Sequence, residues 1–373
     1  MRIAITLQSL EHQGGIGAYT RQILKHLLQI DRTNEYILIY PTFGQARKSL
    51  GQYQRSYSNV TEVLSKSLVP HANYWDHFVV PRIAAKYHVD LLFNPFLSVP
   101  IVGRFRKILV MHNSEWFTMP EVFWLSERLI GSLRIRAFMR AADKIISVSN
   151  AVTEDCIRAT GLPQSKFRTI YHGVGDAFKV IKEAARLEAV KERYRLPDEF
   201  ILFVGGIYPQ KNFGGLIRAF GLVAREIPHV LVIAGVGRWK YRHDLDLIKE
   251  LGLQDRIRFL GWVDPDDTAV LYNLADCFVY PSFYEGFGLC LIEAMACGCP
   301  AVAACTGALP EVAQNAALLV DPRNPIEMKD AILKLVSDDD LRHRLVQTGL
   351  SRAGNFTWEK CALETWKLFH ECH

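Results

Sequence analysis

The sequence predicts an α/β protein built from two doubly wound parallel sheets, and three observations carry that expectation. Short apolar runs alternate with longer amphipathic stretches along the chain, the pattern of β-α-β units whose sheet is covered by helices on both faces. The alternation pauses near residue 175 and restarts at 200. A length of 373 residues exceeds what one hydrophobic core usually serves, so two domains of roughly 150–200 residues each are expected.

In the first half, RIAITL (2–7), EYILIY (35–40), DLLFN (90–94), KILVMH (107–112) and KIISVS (144–149) read as strands, with helices between most of them. GGIGAYT (14–20) follows the first strand and opens a helix, so its glycines could admit a phosphate or a reacting group close to the backbone. The spacing Gly15-x-Gly17 invites a dinucleotide reading, but Thr20 stands where the third glycine of that fingerprint belongs and no acidic residue ends the next strand. A helix over 121–142 places Arg128, Arg134, Arg136 and Arg140 beside an apolar face. It reads as an ordinary domain helix with its arginines in water, or as one lying on an anionic lipid surface.

The segment 175–198, mostly EAARLEAVKERYRLPD, is charged and helix-prone without a strand and suits a junction. The strand pattern then resumes in FILFVGG (200–206), HVLVIAG (229–235), RIRFLG (256–261), DCFVYPS (276–282) and CPAVAA (299–304). The last stretch, FTWEKCALETWKLFHECH (356–373), offers Thr357 as an N-cap and keeps its apolar side chains on one helical face, so it should dock on something apolar.

Composition narrows the function. A net charge of +5 is modest for this length, which argues against nucleic acid, while local clusters such as RFRK (104–107) suit an anionic substrate or membrane surface. Of eight cysteines only Cys297 and Cys299 are close, at a spacing that fits neither a zinc knuckle nor a redox C-x-x-C motif, so they read as buried thiols. The opening MRIAITLQSL has no cleavable apolar stretch, and the longest apolar run, Phe287–Cys305, is broken by Glu293 and Pro300. A cytoplasmic protein, with the inner membrane face as a peripheral location, is the expectation.

The stretch YEGFGLCLIEAMACGCP (284–300) raises the sharpest question, because an apolar segment carries Glu285 and, eight positions later, Glu293. It reads as a loop entering a helix closed by Gly298. The backbone N–H groups of Gly286, Phe287, Gly288 and Leu289 would then meet an anion at a helix N-terminus, where the macrodipole adds roughly half a positive charge. Phosphate is the natural guest, and the two carboxylates would face the neutral hydroxyls of the same ligand. The bland alternative makes Glu285 a helix-dipole partner and Glu293 an exposed surface residue. Lys211, just past a strand end in GIYPQKN, could neutralise a diphosphate, or be a solvated lysine at a helix start. DPDD (264–267) precedes a helix and reads as N-capping rather than as a metal cluster.

ADCFVYPSFYEGFGLCLIEAMACGCPAVA resembles the signature of retaining glycosyltransferase family 4, in which two glutamates separated by seven residues bracket a sugar-nucleotide. The resemblance extends to VGGIYPQKN (204–212), NLAD (273–276), TGALPEVAQNAALLVDP (306–322), GGIGAYT (14–20), SVSNAV (147–152) and YHGVGDAF (171–178). It implies the GT-B architecture: an acceptor-side Rossmann-like domain over 1–178, a nucleotide-sugar domain over 179–355 facing it across a cleft, and a helix over 356–373 packing back on the first. It also implies that Glu285 grips the sugar hydroxyls, Glu293 the ribose and Lys211 the departing diphosphate. His112, at the end of KILVMH, would stand near the sugar's hydroxymethyl group and Gly15 beside the diphosphate and acceptor. One departure weakens the diphosphate site: Gly206 stands where the family commonly carries an arginine, and Arg238 is offered as a replacement.

The expected activity is therefore metal-independent transfer of a hexose-type sugar from a UDP- or GDP-linked donor to a hydroxyl, with retention. No cofactor is expected beyond that substrate. The acceptor would be a glycan or lipid-linked molecule, and an anionic membrane surface a further partner. The same architecture also serves sugar-nucleotide epimerases and phosphorylases, and a non-catalytic sugar-nucleotide-binding protein is the alternative from another class.

Overall fold

A computed structural model describes residues 1–12, 14–42, 49–66, 74–237 and 241–372. Two units emerge: Met1–Gly173 together with Thr357–His373, and Val174–Phe356. In the first unit the strands are β1 (Arg2–Thr6), β2 (Glu35–Pro41), β3 (Val60–Ser65), β4 (Leu91–Asn94), β5 (Arg106–Met111), β6 (Lys144–Ser147) and β7 (Phe167–Thr169). All run parallel in the order β3-β2-β1-β4-β5-β6-β7. The second unit holds β8 (Phe200–Val204), β9 (Val230–Ala234), β10 (Ile257–Gly261), β11 (Cys277–Tyr280), β12 (Ala301–Ala304) and β13 (Leu318–Val320). These too are parallel, in the order β10-β9-β8-β11-β12-β13.

Each sheet therefore has one place where neighbouring strands lead off in opposite directions, between β1 and β4 in the first unit and between β8 and β11 in the second. The connections leave a crevice at the carboxyl ends of such strands, where open α/β sheets take their ligands. The ten apolar runs read as strands all form. The strands β3, β7 and β13, which those runs did not include, lie at sheet edges.

Packing follows from the two-faced burial of parallel strands. In the second unit Ile201, Phe203, Leu231, Ile233 and Val279 meet Phe213, Leu216 and Phe220 of the helix Phe213–Val223, and Ile332 of the helix Pro325–Ser337. In the first, Ala4, Ile37, Ile39 and Leu92 close over Trp75. The final helix, Trp358–Glu371, starts at Thr357, whose side chain accepts the Lys360 N–H at 3.2 Å. It buries Trp358, Leu368 and Phe369, with Phe369 5.2 Å from Phe93 and Trp358 5.9 Å from Tyr19 on the helix Gly15–Ile30. Gly173 is a glycine for this reason: a Cβ there would lie 2.2 Å from the Trp358 backbone nitrogen.

Two sequence expectations shift. The arginine-bearing helix read over 121–142 spans Leu125–Ala141 and follows a separate 3₁₀ turn at Pro120–Val122. In the junction the helix is Ala184–Tyr194. Asp264 caps Pro265–Leu274 by accepting the Asp266 N–H at 3.0 Å. The eight cysteines are free thiols, and Cys297 and Cys299 are buried. No described helix is long and apolar enough to cross a membrane.

Candidate active site

The carboxyl ends of β8 and β11 bring together side chains 74 residues apart. After β8 the chain makes a short 3₁₀ turn, Pro209–Lys211, that turns Lys211 inward. Its Nζ donates to Glu285 Oε1 at 2.5 Å and to the Tyr280 hydroxyl at 3.1 Å. The side chains of Lys211 and Glu285 are only 10% and 12% exposed, so neither the solvated lysine nor a simple dipole partner describes them. Burial alone would lower the Lys211 pKa, but the adjacent Glu285 carboxylate, with Tyr208 and Cys290 beside it, reverses that and holds it above the ordinary lysine value. Lys211 is a fixed cation.

The loop carrying Glu285 is clamped from both sides. From the β8 side, Gln210 Nε2 donates to Tyr284 O at 2.7 Å, Phe283 N–H donates to Gln210 O at 2.8 Å, and Asn212 Nδ2 donates to Pro281 O at 3.1 Å. From the β12 side, Thr306 Oγ1 donates to Ser282 O at 2.9 Å and Ala308 N–H to Glu285 O at 3.0 Å. Gly307 makes that approach possible. Its φ is +56°, and a Cβ there would stand 2.5 Å from Glu285 O.

Behind this loop the helix Leu289–Ala296 begins at Gly288 and closes at Gly298. Gly288 has a φ of +99°, and a Cβ on it would meet Leu309 at 2.6 Å. Internal packing thus already requires a glycine at 288, whatever anion comes close. Gly286 and Phe287 are buried, and Phe287 stands edge-on to Phe356 at 5.5 Å. The Leu289 amide, first in the helix, has no intrahelical acceptor and lies at the positive end of the dipole. Glu293 is half-buried within the helix, which removes the reading of an exposed surface residue. Loss of hydration pushes its carboxyl up to about 8. Cation, amide-rich helix start and two carboxylates form a site that can neutralise an anion and accept hydrogen bonds from hydroxyls.

Residues from the first unit stand at its own switch point. Gly15 is the exposed first residue of the helix Gly15–Ile30, after Gly14 at a φ of +107°. Arg21 Nη1 ties the preceding loop down through Leu10 O at 2.7 Å. Gly17 lets the His12 carbonyl in, because a Cβ would lie 1.8 Å from that oxygen. His112, just past β5, places Nε2 2.8 Å from Pro95 O in the loop after β4. Nε2 must donate there, which leaves Nδ1 the unprotonated nitrogen, and this buried atom has no hydrogen-bond partner among the described residues. Burial drives the His112 pKa down to about 4, against the smaller opposing effect of the Pro95 carbonyl. The ring is a neutral acceptor in waiting. Arg238 lies outside the described residues, and Gly206 contributes no cation of its own.

Residues 186–352 match the family described as glycosyl transferases group 1, and residues 13–178 match glycosyltransferase family 4. O-antigen chain mannosyltransferase B of Escherichia coli is 31% identical over 263 residues, 70% of this chain and 69% of that protein. The chain belongs to the group 1, family 4 glycosyltransferases. The serotype-specific mannosyltransferase WbdA of Escherichia coli is 32% identical over 249 residues, 63% of this glycosyltransferase but 30% of WbdA. Among solved structures, Anabaena Alr3699/HepE in complex with UDP-glucose superposes with a TM-score of 0.79 at 20% identity, covering all of both chains. That likeness establishes the GT-B fold of two Rossmann-like units.

The sequence reading did not single out Tyr280, Gln210, Asn212 or Gly307 in this glycosyltransferase. Tyr280 was legible only as the end of an apolar strand, and its hydroxyl is the one signal that a polar neighbour waits there. Asn212 carries a stronger mark: its φ of +52° is a conformation asparagine adopts more readily than most residues. Its Nδ2 also reaches Pro322 O at 2.6 Å, a partner 110 residues away that spacing cannot reveal.

Proposed function

We propose that the enzyme transfers a hexose-type sugar from a nucleotide-sugar to a hydroxyl acceptor with retention of anomeric configuration, in glycan or glycolipid assembly. The observation that carries this reading is the convergence of Lys211 and Glu285 at the β8/β11 switch point, beside the amide-rich start of the helix holding Glu293. The UDP or GDP diphosphate sits against those amides, Glu293 accepts from the ribose hydroxyls and Glu285 from the sugar hydroxyls. The mannosyltransferase relatives make mannosyl the first sugar to test.

Lys211 and Glu285 neutralise one another until the donor arrives. The diphosphate then draws the ammonium and the sugar hydroxyls draw the carboxylate, so ligand groups replace the pair one for one. As the bond from the anomeric carbon to the diphosphate oxygen breaks, Lys211 and the amides absorb the growing charge, a role suited to preorganised donors. The acceptor hydroxyl forms the new bond on the face the leaving group vacates, and a diphosphate oxygen takes its proton. No metal ion is assigned a part, since Lys211 and the amides already meet the phosphate charge. His112 Nδ1 accepts from the sugar's hydroxymethyl group, and Gly15 admits the donor close to the backbone. A protein acting at an inner membrane face fits a lipid-linked acceptor.

Thermal-shift measurements with UDP and GDP identify the base, because a ligand that binds only the folded state raises its stability with concentration. Product NMR with the matching hexosyl donor then reads the anomeric configuration and separates transfer from epimerisation and phosphorolysis. Glu285→Ala should lower kcat by about 10²-fold or more, as loss of a transition-state contact does. Unchanged turnover in a folded Glu285→Ala protein would remove Glu285 from the reaction.

A further inference from the structure

Three arginines edge a cavity of the first unit that shares no residue with the site above. The cavity, of about 690 Å³, lies among the helices Glu115–Thr118, Leu125–Ala141 and Asn150–Thr160, a size common to small-molecule sites. Trp116, Phe117 and Leu133 supply apolar wall, and Arg128, Arg136 and Arg158 supply charge. The wall is fixed. Trp116 stacks on Phe123 with ring centroids 3.8 Å apart, and it lies so close to the long helix that a Cβ on Gly131 would stand 2.4 Å from the ring.

The cations are not consumed by the fold. Arg158 pairs with Asp155 Oδ1 at 3.3 Å, while Asp155 Oδ2 accepts from Ser114 Oγ at 2.7 Å. Arg128 and Arg136 have no carboxylate or hydrogen-bond acceptor for their guanidinium groups among the described residues. Arg136 lies with its guanidinium 5.4 Å from the centre of the Phe117 ring, and its Nε is a buried donor with no acceptor among the described residues. Buried polar groups are almost always satisfied, so an orphaned cationic donor at a cavity wall calls for an acceptor from outside the chain. Planar guanidinium forks match phosphate oxygens in particular. Beside them Ile130 and Leu133, one helical turn apart, are 66% and 69% exposed and extend the apolar wall outward.

We propose that this cavity binds a phosphorylated amphiphile, its phosphate held by Arg128 and Arg136 and its hydrocarbon portion lying against Trp116, Phe117 and Leu133. A net surplus of positive charge favours the dianion of a phosphate monoester, and a bare anion would leave the apolar wall unused. The proposal rests on no residue of the donor site and stands or falls apart from the transfer reaction.

Titration calorimetry on the full chain tests it with decyl phosphate below its micelle concentration, inorganic phosphate and decanol. Decyl phosphate should bind at least tenfold more tightly than either of the others. Arg128→Gln/Arg136→Gln should weaken it at least tenfold, with a melting transition and nucleotide binding like those of the parent as evidence of folding. Should that double variant not fold, Arg128→Gln alone, at an exposed position, should still weaken binding at least threefold. Leu133→Ala should weaken decyl phosphate but leave inorganic phosphate unchanged. Equal affinity for decyl and inorganic phosphate would overturn the amphiphile, and unchanged affinity in the arginine variants would overturn the site. Capture on phosphatidylglycerol vesicles without binding of monomeric decyl phosphate would overturn the cavity and assign the arginines to a membrane surface.

Discussion

Glu293 sits within a helix where water hydrates it poorly, so its proton is held up to about pH 8 instead of leaving near 4.5. Gripping ribose hydroxyls requires the ionised form, and the free protein at pH 6.5 is mostly in the other one. Donor binding must therefore release a proton, and affinity should rise with pH, by up to about tenfold per unit below pH 8, levelling off above it. Calorimetric donor titrations from pH 6.5 to 9 read this directly; Glu293→Gln should bind more weakly and show no such slope. The effect on folding has the opposite sense. Between 4.5 and about 8 the folded chain holds a proton on Glu293 that the unfolded chain has lost, so this group's contribution to stability falls as pH rises through that window. Glu293→Gln should accordingly raise Tm more at pH 8.5 than at pH 5.5. His112, driven down to about 4, stays neutral across this whole range and contributes no limb to the profile.

At the scale of elements, catalysis in the proposed scheme depends on a loop whose part is to hold the Glu285 backbone. Thr306, Gly307 and Ala308 set the Glu285 backbone, and Gly307 combines a φ of +56° with a 2.5 Å approach to the Glu285 carbonyl. Gly307→Ala should cost about 1–3 kcal/mol of stability through backbone strain and lower kcat at least tenfold by moving Glu285. Gly161, at a helix end with a φ of +67° and open space around it, separates the two effects: Gly161→Ala should lose stability with kcat intact. Steady-state kinetics and melting curves on both variants make the comparison. Such couplings mark the limit of what sequence shows. Interior strands such as β5 and β8 are buried on both faces and so read as unbroken apolar runs. The edge strand β3, VTEVLS, is neither an unbroken apolar run nor a regular alternation of polar and apolar residues, and β7 and β13 have three residues each, too short to show a period. The paired carboxylates and Lys211 were legible because their residue types follow strand ends. Tyr280, Gln210 and Gly307 were not, because what defines them is a partner on another loop.

At the scale of the whole molecule, the two units depend on the chain differently. Val174–Phe356 is continuous, contains a complete six-stranded sheet with its own core, and carries Lys211, Glu285, Glu293 and the amides of 286–289. The other unit is discontinuous and relies on Thr357–His373 for Trp358, Leu368 and Phe369. Each buried side chain of that size contributes about 1.5–3 kcal/mol, and total stabilities are only about 5–15 kcal/mol, so the first unit should not survive their loss. A chain ending at residue 356 should therefore keep a cooperative unfolding transition for its second unit only. Residues 174–356 expressed alone should fold, give a dispersed ¹⁵N–¹H spectrum and bind UDP or GDP within about tenfold of the full chain, since Lys211, Glu293 and the amides of 286–289 all lie within them and only the backbone approach at Gly15 is lost. They should not transfer sugar, because Gly15 and His112 are absent. A folded 174–356 fragment with no affinity for the nucleotide that the full chain binds would show that the nucleotide is held by residues other than those at the β8/β11 ends.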